Sequence, residues 1–147
     1  MELVSEFFYC KVLQPYNLIF TKFLRPVVHE EFKQAMLAVY TSIQELKLTK
    51  WVMISTISEF TIPDQKWAVE QLGVLLYDTT LEKIAMVRNH DQELQAIAES
   101  IRTKVYRIYG NSKEMQHFAT LNEAIKYLEP DSETEKLVTK LMITKGV

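Results

Sequence analysis

Trp51-Val52-Met53-Ile54 and Ile84-Ala85-Met86-Val87 are two short, continuously apolar runs. Lack of polar alternation suits a strand covered on both faces rather than one with a wet side. A helical pattern lies between them. Buried strands alternating with helices imply a mostly parallel sheet with right-handed crossovers, and these two runs are its predicted centre.

Upstream, Phe7 to Leu13 and Leu18 to Leu24 are rich in aromatic and β-branched residues and read as strands. Gln14-Pro15-Tyr16-Asn17 joins them as a turn, since proline presets φ and asparagine tolerates turn geometry. So short a connection predicts an antiparallel hairpin. A helix then begins near Val28 or His29, with Phe32, Met36, Val39, Tyr40, Ile43 and Leu46 at helical spacing. Glu30 and Glu31 occupy its first turn, where the dipole favours negative charge.

Between the two central runs, a polar loop from Ser55 leads to Thr61-Ile62-Pro63-Asp64. Threonine as cap, proline in the first turn and Asp64 closing a capping box predict a helix running to about Tyr77. Its expected apolar face is Trp67, Leu72, Leu75 and Leu76. Downstream, Asp91 opens a predicted long helix ending at Gly110-Asn111, and Met115 to Ala119 alternates as an outer strand. Thr120-Leu121-Asn122-Glu123 is a capping box for a helix to Leu128, stopped by Pro130. Residues 131–147 start acidic, and Ser132-Glu133-Thr134-Glu135 is a further capping box for a short last helix. The expected architecture is therefore α/β: one domain over residues 1–130 with a mixed sheet of about five strands, flanked by helices, then an acidic turn and short helix.

Length and composition agree. The chain has 147 residues, 48% apolar and 24% charged, which suits one globular domain. With 17 basic against 19 acidic residues the net charge is −2, so there is no basic surplus for nucleic acid or an acidic membrane surface. No run reaches the roughly 18 apolar residues of a membrane span. Residues 1–6 lack the basic start and apolar core of a signal peptide. The lone cysteine, Cys10, fits a reducing compartment, and the expected location is cytoplasmic.

Three glycines allow neither a GxGxxG nor a Walker A loop, and no GxSxG elbow exists. His29, His90 and His117 are far apart and form no metal-ligand spacing, so neither metal nor cofactor is expected. Ser55 to Thr61 is the most suggestive segment. The hydroxyls of Ser55, Thr56 and Ser58 precede the cap Thr61, at a helix end whose amides favour an anion or a phosphorylated side chain. The simpler reading makes Thr61 a cap and the other hydroxyls partners of loop backbone. Phe60 and Trp67 flank the same helix start as core residues or as walls of a contact patch. The candidate binding or phospho-switch residues are thus Ser58, Phe60, Thr61, Asp64 and Trp67.

Three stretches resemble the STAS superfamily, and within it the small bacterial SpoIIAA-like proteins of STAS/SEC14 type. They are His117 to Leu128, Lys50 to Ile54 with Pro63 to Trp67, and Leu81 to Val87. The resemblance covers roughly residues 5–129 and implies a small α/β domain that performs no chemistry. Anti-sigma-factor antagonists of this superfamily bind a partner kinase and are switched at a serine in an Asp-Ser-Ser/Thr-Gly motif. Here the matching stretch, Thr61-Ile62-Pro63-Asp64, lacks the Asp-Ser pair and the glycine, leaving Thr61 and Ser58 as substitutes. The leading expectation is a non-catalytic, regulatory protein-interaction module with a protein partner. The alternative is a binder of a small hydrophobic or lipid-like ligand, drawing on Met53, Phe60, Trp67 and Met86. Catalysis would need distant groups to converge, such as His90 with Asp64. The hairpin's outer edge and the last helix both offer surfaces for a homodimer.

Overall fold

The structure, a computed structural model, describes residues 2–55, 61–87 and 114–142. Among these, six strands form one sheet in sequential order. They are β1 (Glu2–Val4), β2 (Phe8–Leu13), β3 (Leu18–Phe23), β4 (Lys50–Ile54), β5 (Lys83–Val87) and β6 (Glu114–Phe118). β1, β2 and β3 pair antiparallel, and β3 through β6 pair parallel. The two apolar runs lie side by side at the centre, with Trp51 opposite Ile84 and Met53 opposite Met86. The mixed α/β sheet read from the sequence is thus present, with one strand more than expected. β1 is three residues long and carries no alternation long enough to register as a strand.

The hairpin turns through a single 3-10 turn (Gln14–Tyr16) that takes Pro15 early. Asn17 closes it in the left-handed region, at φ 53°, and its N–H donates to the Gln14 carbonyl at 3.0 Å. Asparagine adopts this backbone more readily than most residues.

Successive residues of β4 and β5 point to opposite faces, and each face has its own core. Trp51, Met53, Ile84 and Met86 join Phe32, Met36, Val39 and Ile43 of α1 (His29–Leu46). The same layer takes Leu72 and Leu76 from the next helical segment. Val52, Ile54, Ala85 and Val87 meet Ala124, Ile125 and Leu128 of the Leu121–Leu128 helix. Leu137 and Leu141 of the terminal helix, Thr134–Met142, complete that second core, so this helix packs on the sheet. Within the first face, Trp51 Nε1 donates to the buried Thr21 hydroxyl at 2.9 Å, satisfying two groups that would otherwise be stranded.

The helical stretch expected to run from Thr61 to Tyr77 is continuous but not uniform. It starts as α2 (Ile62–Trp67), widens through a π-helical turn (Ala68–Leu72) and finishes as α3 (Gly73–Tyr77). The wider turn shifts the phase of the apolar face. Leu72 and Leu76 remain buried, whereas Leu75, expected inside, is 37% exposed.

Two polar devices fix the ends of elements. Lys50 Nζ lies 2.6 Å from Glu129 and donates to the Tyr16 carbonyl at 3.0 Å, tying β4 to the hairpin turn and to the end of the Leu121–Leu128 helix. Ser132, expected to cap the last helix, instead donates its hydroxyl to the Glu129 carbonyl. The helix opens later, with Leu137 N–H donating to Glu133. Ser132 is thereby recruited by the carbonyls left open at the preceding helix end.

Candidate functional site

In a parallel sheet the helix that follows a strand begins at that strand's carboxyl end. α1 follows β3 and α2 follows β4, so adjacent strands bring two helix starts together on one rim. Open α/β sheets place ligands along this edge.

Asp64 organises the rim. Its carboxylate is 1% exposed and holds two partners. Oδ2 accepts from the Thr61 backbone N–H at 3.0 Å, while Thr61 Oγ1 accepts from Asp64 N–H at 3.2 Å. This is the reciprocal capping box expected from the sequence. Oδ1 takes the second partner, His29 Nδ1, at 2.6 Å. Asp64 therefore joins the start of α2 to the first residue of α1. A carboxylate oxygen facing Nδ1 calls for a proton on that nitrogen, and in the neutral ring the lone pair is then on Nε2. The imidazole side chain is 36% exposed.

Behind this pair, Trp67 packs edge-on against Phe32 with ring centroids 6.0 Å apart. It is half-buried against the first core, so the tryptophan supports the rim from behind. In front, Ile62 is 80% exposed and Val28 is 64% exposed. Val28 precedes His29 and Ile62 follows Thr61, so the His29–Asp64 bond sets two bare apolar side chains on the same rim.

The start of α1 is held independently. Arg25 reaches both carboxylate oxygens of Glu31, at 3.0 and 2.7 Å, and Glu31 also accepts from Val28 N–H. The guanidinium lies over the Phe7 ring, 5.5 Å from its centroid, and 3.7 Å from Glu6. Hydrogen bonding to Arg25, and then to the Val28 amide, holds the Glu31 carboxyl below its ordinary value.

Of the residues singled out from the sequence, Thr61, Asp64 and Trp67 meet here. Ser58, Phe60 and Thr56 lie outside the described residues, as do His90 and the helix expected from Asp91 to its end at Gly110-Asn111. Ser55 is buried at the end of β4, where its N–H donates to the Val87 carbonyl at 3.0 Å. Asp64 takes His29 as its imidazole partner, a residue that the sequence presented as part of an acidic helix start and without metal-ligand spacing. The available signal was topological: a histidine opening the helix after one strand, and an aspartate at the third position of the helix after the next.

Cys10 is buried in β2, and burial pushes its thiol up to about 11, far from the thiolate that nucleophilic chemistry needs. Among the described residues no three His, Cys, Asp or Glu side chains gather as a metal site, and no helix is long and apolar enough to cross a membrane. The chain matches no protein-family model, no curated protein and no solved structure.

Proposed function

We propose that the chain is a non-catalytic interaction module of STAS-like type, which engages a protein partner through the rim at the amino ends of α1 and α2. One observation carries this reading: Ile62 and Val28, 80% and 64% exposed, flank two helix starts that a buried carboxylate joins. Thr61 and Asp64 spend their hydrogen bonds on each other and on His29, so they shape the rim rather than reach outward. A firm scaffold that presents bare apolar side chains is what a partner's hydrophobic side chains can cover with little loss of conformational freedom. The sequential sheet with its antiparallel start supports the STAS-like reading. A regulatory role in a bacterial cytoplasm is the setting that this reading implies.

The test uses the full chain as bait in extract of its own host, followed by reconstitution with the purified partner. Val28→Ser and Ile62→Ser lie on the surface and should leave the melting temperature within a few degrees. Each should weaken the complex by about tenfold, the scale of a moderate interface anchor. A reconstituted complex indifferent to both substitutions would exclude this rim, and failure to reconstitute any complex would exclude the module itself.

A further inference from the structure

We propose that His29 is a phosphoryl acceptor, taking the group on Nε2 from a donor with a labile N–P or acyl-phosphate bond. The geometry carries the proposal. A nucleophilic imidazole needs one nitrogen held and the other bare, with a negative group to steady the charge that the ring acquires. Nδ1 sits 2.6 Å from Asp64 Oδ1, the ring is 36% exposed, and the ring's one hydrogen bond among the described residues is through Nδ1. Asp64 cannot swing away without losing the Thr61 amide and being stranded at 1% exposure.

The reaction balances without a metal or redox partner. The Nε2 lone pair attacks phosphorus and the donor's P–N or P–O bond breaks; a P–N donor reacts in its N-protonated form and leaves as the neutral amine, an acyl phosphate leaves as the carboxylate, each with the bonding electrons. The proton on Nδ1 stays between the ring and Asp64, whose negative charge offsets the positive charge of the phosphorylated ring. The surroundings tolerate the product. Glu31 is neutralised by Arg25 at 2.7 Å, Glu30 lies 3.6 Å from Lys33, and the amino end of an 18-residue helix favours an anion. If the rim is the partner surface proposed above, an added charge of about −1.5 to −2 beside Val28 and Ile62 would expel an apolar partner.

The probe is phosphoramidate, added to the full chain and followed by intact mass, with phosphorus NMR to place the label. The expected product carries one acid-labile phosphoryl group on Nε2 of His29. His29→Gln should abolish this label, and Asp64→Asn should slow labelling by about tenfold or more. Wild-type protein in urea, where the pair is dissolved, should label His29 more slowly than native protein, a comparison that requires no variant to fold. Equal or faster labelling in urea, labelling of Asp64→Asn at the native rate, or an unchanged label in His29→Gln would each overturn the proposal. Partner affinity is read separately: a labelled His29 with unaltered affinity sustains the acceptor and removes only the rim.

Discussion

Cutting the His29–Asp64 link should destabilise the fold by more than a surface pair does, and the amount can be worked from its geometry. Asp64→Ala removes the acceptor of the Thr61 amide, a cap interaction worth about 0.5–2 kcal/mol. It also removes the 2.6 Å bond to His29. A hydrogen bond to a charged group contributes about 1.5–3 kcal/mol, and the half-exposed ring, which water can reach, argues for the lower end. Together the expected loss is about 2–4 kcal/mol. His29→Ala leaves the carboxylate buried with one partner fewer and should cost about 1–2 kcal/mol. In a domain of this size that corresponds to a fall in melting temperature of roughly 5–15 °C for Asp64→Ala. The decisive measurement is the double-mutant cycle, from urea unfolding followed by Trp51 and Trp67 fluorescence. The two substitutions should couple by about 1–2 kcal/mol. Thr61→Ala, costing about 1 kcal/mol through the cap, leaves the Asp64 Oδ1 bond to His29 in place, so it should couple to His29→Ala more weakly than Asp64→Ala does, though both touch Asp64. If the His29 and Asp64 losses simply add, within about 0.5 kcal/mol, the bond is not an organiser of the rim and the reasoning fails.

Three further outcomes follow from named groups. The Glu31 carboxyl titrates below its ordinary value of 4.5, so the unfolded chain binds more protons in that window. Its stabilisation should be complete above about pH 5 and lost as pH falls through the folded value; Arg25→Gln should flatten that acid limb of urea-unfolding stability. Cys10, with its thiol pushed up to about 11, should resist an aromatic disulfide reagent at pH 8 in the native state and react fully in urea. Trp51→Phe should cost about 1–3 kcal/mol in urea unfolding, since it leaves the Thr21 hydroxyl buried without its 2.9 Å donor. A neutral result would mean that Thr21 finds another partner.

Much of this fold is visible in one dimension because its periods are local. Trp51 to Ile54 and Ile84 to Val87 carry no polar residue, and only a strand roofed on both faces accepts that. Thr61, Pro63 and Asp64 announce a helix start through chemistry within four residues, and the structure forms those bonds. What escaped depended on longer-range competition. Ser132 had the pattern of a cap, but the open carbonyl of Glu129 took its hydroxyl. Leu75 had helical spacing, but a π turn five residues long rotated it outward. β1 owes its existence to the free edge of β2, with which it pairs from Glu2 opposite Lys11 to Val4 opposite Tyr9.

The site was half legible for the same physical reason. A cap is a contact across three residues, and sequence periodicity reports it; the bond between His29 and Asp64 spans 35 positions and is reported by nothing local. It exists because the crossover from β3 to its parallel neighbour β4 sets α1 beside the next helical segment, with both amino ends on one edge. That reasoning extends beyond this pair. Once two parallel neighbours are identified, the first turns of the helices that follow them are expected to meet, whatever the sequence between. A titratable residue in each first turn is then a candidate dyad, and the one with the capping role will be the buried member, because its backbone bonds already hold it inward. Asp64 meets that condition and His29, capping nothing, remains the member that solvent and a reactant can reach.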